Sequence, residues 1–186
     1  QLPAPEHLVD VFNNTISTHF DVDGFGDINF KNVMSTGTAI HLPATPKGIM
    51  TLLHNYNIPI EGKHVVIVGR SNIVGKPLAQ MMLKENATVT VCHSKTKNIK
   101  EICKNADILI VAIGKPKYVN KDYIKEGAVV IDVGIHRDEN NKLCGDVDYD
   151  SVAEHTSFIT PVPGGVGQAT VIALIDNVIT IAEEEL

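Results

Sequence analysis

Cysteine is scarce in this chain of 186 residues: Cys92, Cys103 and Cys144 are widely spaced and form no Cys-x-x-Cys. An odd, dispersed set argues against a disulfide framework or a zinc ribbon and points to reduced thiols in a cytoplasmic compartment. The eight histidines include no His-Glu-x-x-His, so they read as surface or satisfied core side chains rather than metal ligands. Positive charge is also short, with 16 Lys and Arg against 22 Asp and Glu and a net charge of −6. That balance argues against a general nucleic-acid binder, although it leaves room for a local basic pocket that holds a small anion. No continuous apolar run approaches the ~18 residues of a membrane span. The opening Gln1-Leu2-Pro3-Ala4-Pro5 lacks the basic and apolar regions of a signal peptide. A first residue other than Met reads as a processed terminus or as the start of a fragment.

What the chain has is an ordinary globular composition, 44% hydrophobic and 20% charged. From about residue 62 short apolar runs alternate with helical patterns. Val65–Val68, Thr88–Cys92, Ile108–Ile113 and Val129–Val133 read as strands, with Ser157–Thr160 a weaker fifth. Continuous apolar runs fit strands buried on both faces. Between them, Lys76–Glu85 and Asn98–Asn105 carry apolar residues at helical spacing. Strand and helix in repetition predict an α/β fold, a parallel sheet with helices on both faces. Thr45-Pro46 reads as an N-cap followed by the first position of a helix whose apolar face is Ile49, Leu52, Leu53 and Tyr56. Residues 1–45 read as loop-rich, with one helix around Leu8–Ile16. Gln168–Glu183 is a helix apolar on more than one face, so it is central to a core or packs on something absent from this chain.

The stretch with most chemistry is Gly69-Arg70-Ser71-Asn72-Ile73-Val74-Gly75-Lys76-Pro77. It follows the first buried strand and opens a helix, the setting in which backbone amides and a helix N-terminus receive a phosphate. It is neither G-x-G-x-x-G nor a P-loop, and a purely structural turn is the alternative. The second strand ends in Cys92-His93-Ser94-Lys95-Thr96-Lys97. A carboxylate there would take an NAD ribose; hydroxyls and cations favour the 2′-phosphate of NADP. A solvated basic turn is the alternative. Gly114 and Gly134 end the third and fourth strands, and Pro161–Gly167 forms a rigid loop ahead of the last helix.

Four stretches carry a resemblance: Thr45-Pro46-Lys47-Gly48, Gly69-Arg70-Ser71-x-x-Val74-Gly75-x-Pro77, Ala87-Thr88-Val89-Thr90-x-x-His93-Ser94-Lys95-Thr96 and Pro161–Gly167. Together with Gln1-Leu2-Pro3 and Asp21-Val22-Asp23-Gly24, they resemble the bifunctional methylenetetrahydrofolate dehydrogenase/methenyltetrahydrofolate cyclohydrolase family. The resemblance implies a Rossmann-like NADP-binding domain at 46–165, with remnants of an N-terminal α/β catalytic domain at 1–45. It also implies a C-terminal helix, 166–186, that returns to the catalytic domain. In that family a Tyr-x-x-x-Lys helix supplies the catalytic lysine. Four residues past Tyr56, Tyr118, Tyr123 and Tyr149 stand Ile60, Asp122, Gly127 and Ala153, so the chain reads as the C-terminal portion of such an enzyme.

The resemblance assigns roles to individual positions. Gln1 assists the cyclohydrolase step, and Asp23 contacts the folate pterin. Thr45, Gly69, Arg70, Ser71, Ser94, Ile135 and Thr170 hold NADP, with Arg70 and Ser94 near the 2′-phosphate. Gln1, Leu2, Asp23 and Pro163, Gly164, Gly165, Val166 and Gly167 border a tetrahydrofolate derivative, and no metal takes part. The implied enzyme is a cytoplasmic homodimer of one-carbon metabolism and purine biosynthesis, with no nucleic-acid or membrane partner. Gln168 and His136 stand where the family usually has Pro and Asn. The alternative reading is a dinucleotide-binding module without turnover; a different NADP-linked dehydrogenase would need a catalytic Lys or His pair that the chain does not show.

Overall fold

The computed structural model describes Leu8, Val11 and residues 15–184. Five strands form one sheet: β1 (His64–Val68), β2 (Thr88–Cys92), β3 (Ile108–Val111), β4 (Ala128–Asp132) and β7 (Thr156–Ile159). Their order is β2-β1-β3-β4-β7, and every pairing is parallel. Successive side chains of a strand point to opposite faces. Val65 and Ile67 accordingly join one apolar cluster with Ile49, Leu53, Leu78 and Met82, while Val66 and Val68 join another with Cys103, Leu109 and Val152. Both faces being covered is why the central strands are continuously apolar. All three cysteines are free and buried.

β2 and β7 depart from that expectation, because they are the edges of the sheet and keep part of their side chains in solvent. A two-stranded antiparallel hairpin, β5 (His136–Arg137) with β6 (Leu143–Cys144), follows β4 and has no long apolar run to announce it.

Among the described residues, six α-helices with described bounds flank the sheet. They are α1 (Asp27–Thr36), α2 (Ala44–Asn55), α3 (Gly75–Lys84), α4 (Ile99–Cys103), α5 (Tyr149–Val152) and α6 (Val166–Glu184). α1 lies in the stretch read as loop. Buried Asp21 organises its entry, accepting from the Phe25 and Gly26 amides at 3.1 and 2.8 Å and from Asn29 Nδ2 at 2.9 Å. Leu8, Val11 and Thr15 are helical as expected; the rest of that segment up to Asn14 lies outside the described residues. α2 begins with Pro43 as N-cap, so Thr45 and Pro46 sit inside its first turn rather than at its start. Tyr56, expected on its buried face, ends it and is exposed.

α6 makes its principal contact with α2. Asn177, in its middle, is buried and fully bonded. Its Nδ2 donates to Val22 O at 2.8 Å and to Leu42 O at 3.0 Å, and its Oδ1 accepts from Lys47 Nζ at 2.7 Å. Lys47 also pairs with Asp176. Among the described residues α6 is the one helix with the length and composition of a membrane span, its mean hydropathy being 1.3 over Val166–Glu183. Its other side carries Val171, Ile172, Ile175, Val178 and Ile179, all about half exposed.

Replacing Asn177 by Ala removes the donor to two part-buried carbonyls and leaves the Lys47 ammonium with Asp176 alone. We expect a loss of about 1–3 kcal/mol in urea unfolding. Amide exchange should quicken at residues 21–43 and stay slow in β1 and β3.

Candidate functional site

The strand order sends the chain outward from β1 to β2, then back across β1 to β3. The crevice beyond the carboxyl ends of β1 and β3 is therefore the topological switch point, where open parallel sheets take their ligands. A cavity of about 280 Å³ lies there, lined by Val68, Gly69, Arg70, His93, Ser94, Thr96, Ile99, Ala112, Ile113, Lys115 and Tyr118. None of these residues is a carboxylate; two are cations.

Gly69 is required by close approach. Its φ is +136°, and a Cβ there would strike the Ala112 carbonyl at the end of β3. A Cβ on Gly75 would in turn strike the Gly69 carbonyl, so the first turn of α3 rests directly on the end of β1. These two contacts account for glycines six residues apart in place of a G-x-G-x-x-G. Ser71 Oγ accepts from the Val74 amide at 3.2 Å. Among the described residues the amides of Arg70, Ser71 and Asn72 have no intrachain acceptor. An anion at the mouth of α3 meets those donors and the positive end of the helix dipole. Ser71 itself faces solvent beside the cavity rather than lining it.

A second cavity, of about 380 Å³, lies further along the same edge. It is lined by Thr45, Asp132–Ile135, Pro161–Gln168 and Thr170. Ile135, Thr45 and Thr170 meet here, Thr170 Oγ1 donating to Thr45 Oγ1 at 3.2 Å. The loop from Pro163 to Gly167 forms its wall, with the Val162–Pro163 peptide cis. Gln168 donates its amide to Gly165 O at 3.1 Å, a bond that a proline could not make. Asp23 lines neither cavity; it sits partly buried in the loop that Asn177 holds through Val22, and burial pushes its carboxyl up. Gln1 and Leu2 lie outside the described residues.

Sequence reasoning missed two side chains along this edge, Asp132 in the wall of the second cavity and Asp146 behind both. Asp132, the last residue of β4, is 3% exposed. It accepts from the amides of Gly134 (3.0 Å), Asp146 (2.9 Å) and Val147 (2.9 Å). Asp146 is fully buried and accepts from Ile113, Gly114 and Lys115, and from His136 Nε2 at 2.8 Å. No spacing rule could reveal them, since their partners lie up to 33 residues away. A third cavity, of about 370 Å³, opens at the amino ends of the strands, where Lys125 and Asp107 already pair at 2.6 Å.

With this geometry in view, comparison with known proteins is decisive. The sequence model for the NAD(P)-binding domain of tetrahydrofolate dehydrogenase/cyclohydrolase matches residues 43–186. The chain belongs to that family. A bifunctional protein FolD from Lachnoclostridium phytofermentans is 58% identical over 178 residues, covering 95% of this chain and 63% of the relative. One from Bacillus cytotoxicus is 57% identical over 184 residues, 98% of this chain and 64% of its own length. The crystal structure of the Campylobacter jejuni bifunctional enzyme FolD superposes with a TM-score of 0.96 at 46% identity, over all of this chain and 66% of that one. The Trypanosoma brucei FolD, solved with NADP cofactor and an inhibitor, gives 0.91 at 36% identity, over all of this chain and 66% of that one. This member of the tetrahydrofolate dehydrogenase/cyclohydrolase family thus spans just under two thirds of the length of the relatives it matches.

The buried carboxylate of Asp132 generates a pH dependence. Burial pushes its carboxyl up to about 6, against the pull of three backbone donors. A carboxyl that binds its proton more tightly when folded adds stability below the unfolded value near 3.8, and loses it as pH rises through 6. A rise of that size corresponds to about 3 kcal/mol. Relative to Asp132→Asn, the protein should lose stability of that order between pH 4 and pH 7. Urea midpoints of both proteins across that range measure it; a constant difference would show Asp132 ionised throughout.

Proposed function

We propose that this chain is the NADP-binding portion of a bifunctional enzyme. That enzyme oxidises 5,10-methylenetetrahydrofolate to the methenyl form and hydrolyses it to 10-formyltetrahydrofolate. The observation that carries the reading is the switch-point cavity, lined by Arg70, Ser94 and Lys115 with no carboxylate and lying beside the open amides at the mouth of α3. A dinucleotide fits this edge: cations and a hydroxyl for the 2′-phosphate, helix amides for the pyrophosphate, and the second cavity for the far end.

When bound, NADP accepts a hydride from the folate methylene bridge. The protein's part in that step is positioning. Gly69 lets the cofactor backbone approach β1, and Arg70 and Ser94 fix the adenosine end. Ser71 stiffens the turn, while Ile135, Thr45 and Thr170 bound the nicotinamide end. Pro163, Gly164, Gly165, Val166 and Gly167 form the wall against which the tetrahydrofolate derivative lies. Asp23 contacts the pterin, Leu2 borders it, and Gln1 directs water in the hydrolytic step. The divisions 1–45, 46–165 and 166–186 serve folate binding, NADP binding and return to the catalytic domain. The enzyme acts as a homodimer in the cytoplasm. A second reading, a dinucleotide-binding module without turnover, is favoured by one observation: no Tyr-x-x-x-Lys occurs within the 186 residues.

Arg70→Ala removes a charge-assisted contact worth roughly 1.5–3 kcal/mol. NADP affinity should fall by at least about tenfold while NAD affinity changes little. Titrating both dinucleotides against both proteins tests this; equal losses would remove Arg70 from the 2′-phosphate.

The two readings part on complementation. The chain alone should turn over little or no methylenetetrahydrofolate. Supplying in trans the portion of a FolD relative that this chain does not span should restore turnover and slow amide exchange along Val171–Ile179. Each apolar side chain covered there gains about 1.5–3 kcal/mol. Slowed exchange without turnover would favour the module.

A further inference from the structure

The turn after β3 presents three consecutive amides, those of Ile113, Gly114 and Lys115, at the edge where phosphates bind. Gly114 has a φ of +69°, the left-handed turn that points successive amides into one concavity. Such a nest attracts an anion, and here the protein supplies its own. Asp146 Oδ2 accepts from Ile113 at 2.7 Å and from Gly114 at 3.1 Å, and Oδ1 accepts from Lys115 at 2.7 Å. The fourth bond, from His136 Nε2 at 2.8 Å, comes from the other side, where His136 follows Ile135 of the second cavity. One buried carboxylate therefore holds the wall of both cavities.

Its own position is over-determined. Asp132 at the end of β4 accepts the Asp146 and Val147 amides, and Val119 donates to Asp146 O at 3.0 Å. Gly134 leaves the room: a Cβ there would lie 2.5 Å from Asp146 Cγ. Since the nest after β3 is filled, a dinucleotide's phosphates are left the open amides at the mouth of α3.

We propose that Asp146 is a positioning residue for dinucleotide binding, an internal anion that locks the turns after β3 and β4 in one register and leaves the α3 mouth as the phosphate site. This rests on the NADP reading above. It goes further in naming a side chain that touches no cofactor yet sets the shape of the cleft.

The test uses the full chain and the variants Asp146→Ala, Asp146→Asn and His136→Ala, with two readouts. The first is amide exchange at Ile113–Lys115 without cofactor; the second is the NADP dissociation constant. In Asp146→Ala we expect exchange at the turn to quicken by at least about tenfold and NADP to bind at least about tenfold more weakly, with β1 exchange unchanged. Formate at tens of millimolar, a carboxylate small enough for the vacated nest, should restore both. Asp146→Asn, which keeps one acceptor oxygen, should fall between, and His136→Ala should affect the β4 turn more than the β3 turn. Unchanged protection of the β3 turn in either Asp146 variant would overturn the clamp whatever NADP does. Lost protection with NADP affinity intact would overturn the positioning role. A lower unfolding midpoint without formate rescue of affinity would show a structural part only. If Asp146→Ala fails to fold, the Asn and His136 variants decide by the same readouts. If the unaltered chain binds no NADP, the dinucleotide reading fails, while exchange at the turn still judges the clamp.

Discussion

The carboxyl edge of this sheet is governed by one constraint: where parallel strands stop, backbone amides lose their ladder partners and must find acceptors. A buried amide without one costs as much as a broken hydrogen bond. The fold answers differently at each strand. After β1, a glycine contact sets α3 on the strand end and leaves amides open. After β2, Thr96 Oγ1 accepts from His93 at 2.8 Å. After β3 and β4, Asp146 and Asp132 fill the need from within. A ligand site arises where the protein leaves donors open; elsewhere its own carboxylates close them.

Much of the core was legible because its physics is local. β1, β3 and β4 are apolar on both faces, and their turns end in Gly69, Gly114 and Gly134, so the sheet and the Gly69-Arg70-Ser71 turn could be read from adjacent residues. The edges were less legible. β2 and β7 are edge strands with part of their side chains in solvent, α1 follows a Gly/Asp stretch that reads as loop, and β5 with β6 offers two residues a strand. Asp132 and Asp146 were illegible for a different reason. Each looks solvated until folding brings it three amides, those of the β3 turn to Asp146 and those of Gly134, Asp146 and Val147 to Asp132.

The two cavities differ in what surrounds them. The one at the switch point is walled by the end of β1, the turn after β2 with Ile99, and the turn after β3. The other is walled by the Pro161–Gly167 loop and by α6, whose outer face is apolar and open. The first cavity is therefore closed by sheet turns, the second by a loop and a helix whose far side stays half exposed.

The bonds of Asn177 link residues 155 and 135 positions apart in sequence. On a ribosome, Val22 and Leu42 emerge long before the side chain that ties them down. Sheet strands can pair progressively as they appear, but the second cavity lacks its wall until the last helix is released. Long-range closure of this kind slows folding. Vectorial synthesis therefore assembles the switch-point crevice before the second cavity can close.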